Sequence, residues 1–214
     1  MSTQVRTDWD AYYRKPAGFA PFSRKITIAK VVRLLEKGAQ AQPLRHMVEF
    51  GGGNSCVYAA IANRFGPSEY QIIDNNALGL TAFQRTFPTA SNVTLTYGDV
   101  LAPRGSGFSL ADAALSIGLI EHFDHAGTAQ AVKAHFDAVK PGGIVLLTFP
   151  TPTFLYRAVR GAAELLSIWK FPDERPLGFL EVCEAAAPYG ELLHQEINWP
   201  IFLTQGLALF RKHG

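Results

Sequence analysis

The chain has 214 residues, 48% hydrophobic and 18% charged, which suits one well-packed globular domain and excludes a disordered chain. Its net charge of +2 divides into +6 over residues 1–45 and −4 over residues 46–214; solvated charges on a covering helix explain the basic segment more simply than an anionic partner, and no aromatic-and-basic pattern indicates nucleic acid. The two cysteines, Cys56 and Cys183, show no metal-ligand spacing, MSTQVRTDWD lacks an apolar signal core, and no apolar run nears bilayer length, so we expect no disulfide, no metal, no transmembrane segment and a cytoplasmic location.

Residues 1–45 are expected to form an N-terminal helical cap or lid. Its stretch WDAYYRKPAGFAPFSRKIT carries Tyr12, Tyr13, Phe19 and Phe22. That cluster suits either closure over a site or packing on a sheet edge. From residue 46 onward, apolar runs alternate with segments of helical period, the pattern of a doubly wound α/β fold. Strands are expected at 46–50, 70–74, 92–97, 111–117 and 143–149, and helices at 55–65, 76–87 and 126–139. Lys140-Pro141-Gly142-Gly143 should stop the third of these helices and turn the chain into the fifth strand.

An inserted helix with a Pro-bounded loop is expected at about 151–178. Its apolar residues Phe154, Leu155, Val159, Ala162, Leu165, Leu166 and Trp169 recur at helical spacing, away from Arg157, Arg160 and Lys170. Such a face suits packing on the domain, a bulky apolar acceptor, or a membrane surface. A helix at 179–187 then leads to strands at 189–197 and 201–210, paired antiparallel through Asn198-Trp199-Pro200. The expected fold is therefore a Rossmann-like, seven-stranded, mostly parallel sheet with helices on both faces and a terminal antiparallel pair.

The stretch VEFGGGNSC, residues 48–56, ends the first strand in three glycines and leads into a helix. Bare backbone and the free N–H groups of a first helical turn fit a nucleotide-like ligand. The dinucleotide fingerprint needs Gly or Ala where Cys56 stands, and Glu49 would repel a pyrophosphate while favouring a positively charged ligand. Asp74, at the end of the second strand, suits the two hydroxyls of a ribose or a helix N-cap. Asp99 and Val100, after Gly98, suit the edge and face of an adenine or a plain turn.

EFGGGNS, IIDNN, YGDV, LSIGLIEHF and the KPGG turn, in that order over residues 46–150, resemble the class I S-adenosylmethionine-dependent methyltransferases of the type 11/23-like kind. The resemblance implies S-adenosyl-L-methionine as cofactor. It implies that Glu49 and Phe50 lie near the methionine amino group, and that Gly51 and Gly53 pass under the methionine and ribose. Asp74 would bind the ribose, with Asn75 beside the adenine, while Gly98, Asp99 and Val100 hold the adenine. Ser116 and Ile117 would line the methionine portion. Ser55 departs from the pattern, since many members carry a third glycine there.

The cofactor brings an activated methyl group, so the protein chiefly aligns an acceptor and excludes water. Within EHFDH, His122 is the candidate base, because imidazole titrates near neutrality and the segment follows the fourth strand. A lining role around the cofactor is its alternative. Lacking an appended recognition domain, the chain is expected to take a small-molecule acceptor, apolar or lipid-linked, rather than nucleic acid or protein. The absence of Asn/Asp-Pro-Pro-Tyr after the fourth strand argues against methylation of a base amino group. The competing readings are a non-catalytic S-adenosylmethionine-binding protein and an NAD-type oxidoreductase. The latter is opposed by Cys56 and by the absence of a Tyr-x-x-x-Lys pair.

Overall fold

Central strands buried on both faces organise the fold of the computed structural model, which describes residues 6–14, 20–102, 109–199 and 201–214, with backbone only at 20–22. The strands are β1 (His46–Phe50), β2 (Glu69–Asp74), β3 (Val93–Tyr97), β4 (Ala111–Ile117), β5 (Val139–Pro150), β6 (Gly190–Ile197) and β7 (Gln205–Lys212). The helices are α1 (Trp9–Arg14), α2 (Ala20–Ala39), α3 (Tyr58–Phe65), α4 (Ala77–Thr86), α5 (His125–Asp137), α6 (Phe154–Leu165) and α7 (Phe179–Ala186). The strands form one sheet in the order β3-β2-β1-β4-β5-β7-β6. The first five run parallel, and β7 is antiparallel to both β5 and β6.

Period two sends neighbouring side chains to opposite faces. Val48, Val145, Leu147 and Phe210 meet Val132 and Phe136 of α5 and Val182 of α7 on one face. Met47, Ile72, Leu146 and Leu209 meet Leu34 and Leu35 of α2, Ile61 of α3 and Phe83 of α4 on the other. Each such side chain, fully withdrawn from water, contributes about 1.5 to 3 kcal/mol. Helix α2 thus belongs to the same core as the sheet, while α1 packs against α4 beyond the strand ends.

Two expected strand boundaries are corrected. The KPGG segment lies inside β5: Val139 pairs with Ala111 and Ile144 with Ala113, with Gly142 at φ +75°. It makes an irregular bulge, which keeps both ends in register while the Pro and Gly residues bow out. The last strand begins at Gln205, not 201, because buried Ile201 and Thr204 sit in a longer connection that Asn198 N–H closes on the Gln205 carbonyl at 2.8 Å. Pro200 of the expected turn lies outside the described residues. Within 151–178 the expected helix occupies Phe154–Leu165 and a loop follows, the helix started by Thr153, whose hydroxyl accepts from Tyr156 N–H at 3.1 Å. Among the described residues no helix is long and apolar enough to cross a membrane.

Candidate active site

The strand order reverses between β1 and β4, so their carboxyl ends open a crevice where ligands of doubly wound sheets bind. Gly51 starts the loop there at φ +66°, its N–H bonded to the Ile73 carbonyl at 2.8 Å. A Cβ on Gly52 would lie 2.6 Å from Glu49 Cδ, and one on Gly53 would lie 2.8 Å from Asp74 Oδ2. The glycines are therefore required by the two carboxylates beneath them. The Ser55 hydroxyl then turns the chain towards α3, accepting from Val57 N–H at 3.3 Å and Tyr58 N–H at 3.0 Å, and the helix begins at Tyr58 rather than at 55.

Glu49 is buried and accepts from the Tyr70 hydroxyl at 2.7 Å; among the described residues no Lys or Arg pairs with it. Burial pushes its carboxyl up to about 7; Ser55 and Tyr70 hydrogen bonds oppose this, and the charge of Asp74 adds to it. Asp74 accepts from Gly53 N–H at 2.7 Å and Asn76 N–H at 2.7 Å, and its Oδ2 also accepts from the Tyr13 hydroxyl at 3.3 Å. Burial raises its pKa as well, against the pull of those donors. Asn76, missed in the sequence, caps α4 by accepting from Gly79 N–H at 2.9 Å and holds α1 by donating its side-chain N–H to Asp10 Oδ1 at 2.7 Å.

The other expected binding residues divide. Gly98 N–H bonds the Asp74 carbonyl at 3.0 Å, which draws the end of β3 beside Asp74. Asn75 and Asp99 are exposed there, Asp99 accepting from Leu101 N–H at 2.9 Å, and Val100 is buried. Ser116 pairs with Phe50 across β1 and β4; it is fully buried, with an unpartnered hydroxyl, and Ile117 follows half-buried. The Phe50 ring points into the core, 4.5 Å from the ring of His135, so only its backbone reaches the crevice.

Beyond β4 the chain makes a 3-10 turn, Ile120–His122. His122 Nδ1 lies 3.0 Å from Asp173 Oδ1, and its ring packs edge-on against Trp9, centroids 4.9 Å apart. Burial lowers the pKa of His122, opposed by Asp173. Burial of Asp173 is outweighed by hydrogen bonds from Thr7 and His122, which hold its carboxyl below the usual range. An ionised Asp173 can only accept, so Nδ1 carries the proton and Nε2 keeps its lone pair. Nε2 faces Glu121 at 3.9 Å. Glu121 is held well above the usual carboxylate range by burial, and next by the charge of Glu174. His125 instead begins α5 and pairs with Glu181 at 3.0 Å on the surface.

Residues from the loop after α6 complete this corner. Thr7 donates to Asp173 through both its N–H and its hydroxyl, and Tyr156 donates to Glu174. The aromatic group over the crevice is Trp9, Tyr12, Tyr13 and Phe171. Of the expected lid residues, Phe19 and the Phe22 side chain lie outside those described. The expected apolar face of α6 does not cover the crevice: Phe154 is 88% and Leu165 86% exposed, and Tyr156 is the buried residue of that helix. A cleft of about 260 Å³ lined by Leu44, Asp112, Lys140 and Arg211 lies at the opposite strand ends, away from the glycine loop.

No protein-family profile matches the chain, and no curated protein matches its sequence. Solved structures do match its fold. Magnesium protoporphyrin IX methyltransferase from Synechocystis PCC 6803, with bound S-adenosylhomocysteine, superposes at TM-score 0.72 with 11% identity over 95% of this chain and 92% of that one. The N-methyltransferase NodS from Bradyrhizobium japonicum WM9, also with S-adenosylhomocysteine, gives 0.67 with 14% identity over 90% and 88%. The CurJ carbon methyltransferase gives 0.67 with 16% identity over 87% of this chain and 54% of that one. The chain has the seven-stranded Rossmann-like fold of the class I S-adenosylmethionine-dependent methyltransferases.

Proposed function

We propose that this protein is an S-adenosylmethionine-dependent methyltransferase acting on a small-molecule acceptor, apolar or lipid-linked. The observation that carries this reading is the pair Glu49 and Asp74: two buried carboxylates under a glycine loop at the switch point, with no basic residue paired to Glu49 among those described. A cationic nucleoside suits that pocket because it favours the ionised form of both carboxylates, whereas a pyrophosphate would be repelled by them once ionised and offers them no positive partner. In this reading Glu49 answers the methionine ammonium, with the backbone of Phe50, Gly51 and Gly53 beneath the ligand. Asp74 takes the ribose hydroxyls, Asn75, Gly98, Asp99 and Val100 surround the adenine, and Ser116 and Ile117 line the methionine end.

When bound, S-adenosylmethionine supplies the methyl group to be transferred. The chain's own work is then alignment and exclusion of water. Of the N-terminal residues 1–45, α2 packs into the core of the cofactor-binding domain of residues 46–214, and α1 serves as the lid, its Trp9, Tyr12 and Tyr13 closing the crevice with Phe171. His122, fixed in one tautomer by Asp173, offers Nε2 on the acceptor side. The fold neighbours include enzymes named for nitrogen and for carbon methylation, so the acceptor atom follows from the lid and the 166–178 loop rather than from the fold.

Calorimetry with S-adenosylhomocysteine and NAD tests the cofactor. Tight binding of the former and none of NAD is expected, and the reverse result would overturn the reading. Transfer of label from methyl-labelled cofactor to a host-extract fraction tests catalysis. Binding without any labelled product in small-molecule, lipid, glycan and protein fractions would leave a binding protein instead.

A further inference from the structure

Glu121, His122 and Glu174 each bring one ligand atom to a common point, these atoms lying within 4.8 Å of one another. Glu121 is 2% exposed, and its Oε2 has no hydrogen-bond partner. A buried carboxylate oxygen left unpaired costs several kcal/mol unless a proton or cation meets it. The surroundings supply little positive charge. Arg175 gives only its backbone N–H to Glu121, at 2.9 Å to the carbonyl, and spends its guanidinium on Glu181 at 2.7 and 2.8 Å. Arg160 stands 4.0 Å from Glu174.

We infer that Glu121, His122 and Glu174 form a binding site for a divalent first-row transition ion such as Mn2+, Fe2+ or Zn2+. Three atoms so spaced leave a point roughly 2.8 Å or less from all of them, against metal–ligand bonds of about 2.0 to 2.2 Å, so an inward shift of each ligand by up to about 0.6 to 0.8 Å completes the contact. One imidazole and two carboxylates suit such ions better than calcium, which prefers six to eight oxygens.

The second layer is that of a built site. Asp173 holds Nδ1 of His122, leaving Nε2 as the donor, and the Tyr156 hydroxyl orients Glu174. Metal-bound His often shows this carboxylate partner. Asp173 is in turn held by Thr7, so the site ties the N-terminal segment to the loop after α6. Spacing in the sequence could not reveal it, because Glu174 comes more than 50 positions after Glu121, and the ligands carry no cysteine. With an ion bound, Nε2 is a ligand rather than a base. The use of the ion rests on the methyltransferase reading: three protein ligands leave open positions for an acceptor's oxygen donors. The binding of the ion does not rest on that reading.

The test uses the full chain, stripped with a chelator and titrated with MnCl2, ZnCl2 and MgCl2 separately by calorimetry, with S-adenosylhomocysteine titrated in parallel. One Mn2+ or Zn2+ per chain is expected, bound far more tightly than Mg2+. Glu121→Gln and Glu174→Gln, each neutralising a direct ligand, should each weaken it by at least the roughly 10- to 100-fold that losing a second-layer partner costs, while cofactor-product affinity is retained. Pulsed electron paramagnetic resonance of the Mn2+-loaded wild type should show coupling to one imidazole nitrogen, which needs no variant to fold. No saturable ion, wild-type affinity in both variants, or a bound ion without nitrogen coupling would overturn the site. Loss of S-adenosylhomocysteine binding with the ion retained would instead overturn the proposed function alone.

Discussion

Tyr13 donates its hydroxyl to Asp74 Oδ2 at 3.3 Å, so the lid helix holds the carboxylate that is proposed to receive the ribose. The Tyr13 ring also lies within 2.7 Å of where a Cβ on Gly79 would stand, so it is seated on the start of α4 as well. Burial keeps its phenol protonated, with the charge of Asp74 adding to the effect, and thus a donor. Tyr13 and a ribose hydroxyl then compete for one acceptor. Asp74→Ala should weaken S-adenosylhomocysteine binding by about 1.5 to 3 kcal/mol. Tyr13→Phe removes the competitor and should strengthen binding by about 2- to 10-fold, worth about 0.5 to 1.5 kcal/mol. Calorimetry on both variants decides the matter, and equal losses in the two would show that Tyr13 belongs to the binding contacts instead.

Glu49 makes the site pH-dependent near neutrality. Its folded pKa stands above its ordinary value, raised to about 7 first by burial. Folding therefore favours the protonated form, and the fold loses stability as pH rises from about 4.5 to about 7, then levels off. A ligand ammonium favours the ionised form, so binding runs the other way. Affinity for S-adenosylhomocysteine should rise from pH 6 to pH 8, with proton release measurable in buffers of different ionisation enthalpy. In Glu49→Gln, affinity should be lower, and this segment of the pH profile flat.

Adjacency explains which parts of the site can be read directly from the chain. Glu49 stands two residues before Gly51, and Asp74 ends an apolar strand, so local pattern and strand order bring them together without knowledge of packing. The apolar runs likewise mark β1, β2, β4 and β5, because strands buried on both faces read as continuous hydrophobic stretches, while the edge strand β3 shows the alternation of VTLTY. Asp173, Glu174 and Phe171 carry no such mark: they lie in a loop with no period, and only tertiary packing brings them to His122. Helix α6 is legible as a helix, but its surroundings are not. Its periodic apolar face suits packing, an apolar acceptor or a membrane surface alike, and Phe154 and Leu165 face outward while Tyr156, held by Glu174, faces in. A period shows that a face exists, not what covers it.

Gly52 and Gly66 separate the local need of the site from the need of the backbone. An added Cβ at Gly52 meets Glu49 at 2.6 Å, whereas at Gly66, φ +55°, nothing lies within 4 Å. Gly66→Ala should cost about 1 to 2 kcal/mol of stability from the left-handed conformation alone and leave ligand binding intact. Gly52→Ala must displace Glu49, and should cost about 1 to 3 kcal/mol of stability together with a loss of S-adenosylhomocysteine affinity. Denaturant unfolding paired with calorimetry compares them. Unchanged affinity in Gly52→Ala would detach Glu49 from ligand binding.

Asp173 joins three segments, accepting from Thr7 N–H at 3.1 Å, from the Thr7 hydroxyl, and from His122 Nδ1 at 3.0 Å. Burial would raise its pKa, but these donors outweigh burial and leave it depressed. The sign follows for a depressed carboxylate: the clasp contributes its full stability above the ordinary pKa near 4, and loses it as pH falls through the lower folded value. Asp173→Ala removes all three bonds at any pH and strands the buried Nδ1–H, a cost of about 1 to 3 kcal/mol. The effect should be local. Amide hydrogen exchange should accelerate over residues 6–14, which lose their anchor, while the strands β1, β4 and β5 keep their protection because their core residues do not touch Asp173. Asp173→Asn retains an acceptor oxygen for Thr7 and should restore much of the protection over α1, but it offers His122 only a neutral partner. If exchange over residues 6–14 stays at the wild-type rate in Asp173→Ala, the lid is held by Trp9, Tyr12 and Tyr13 packing rather than by this clasp.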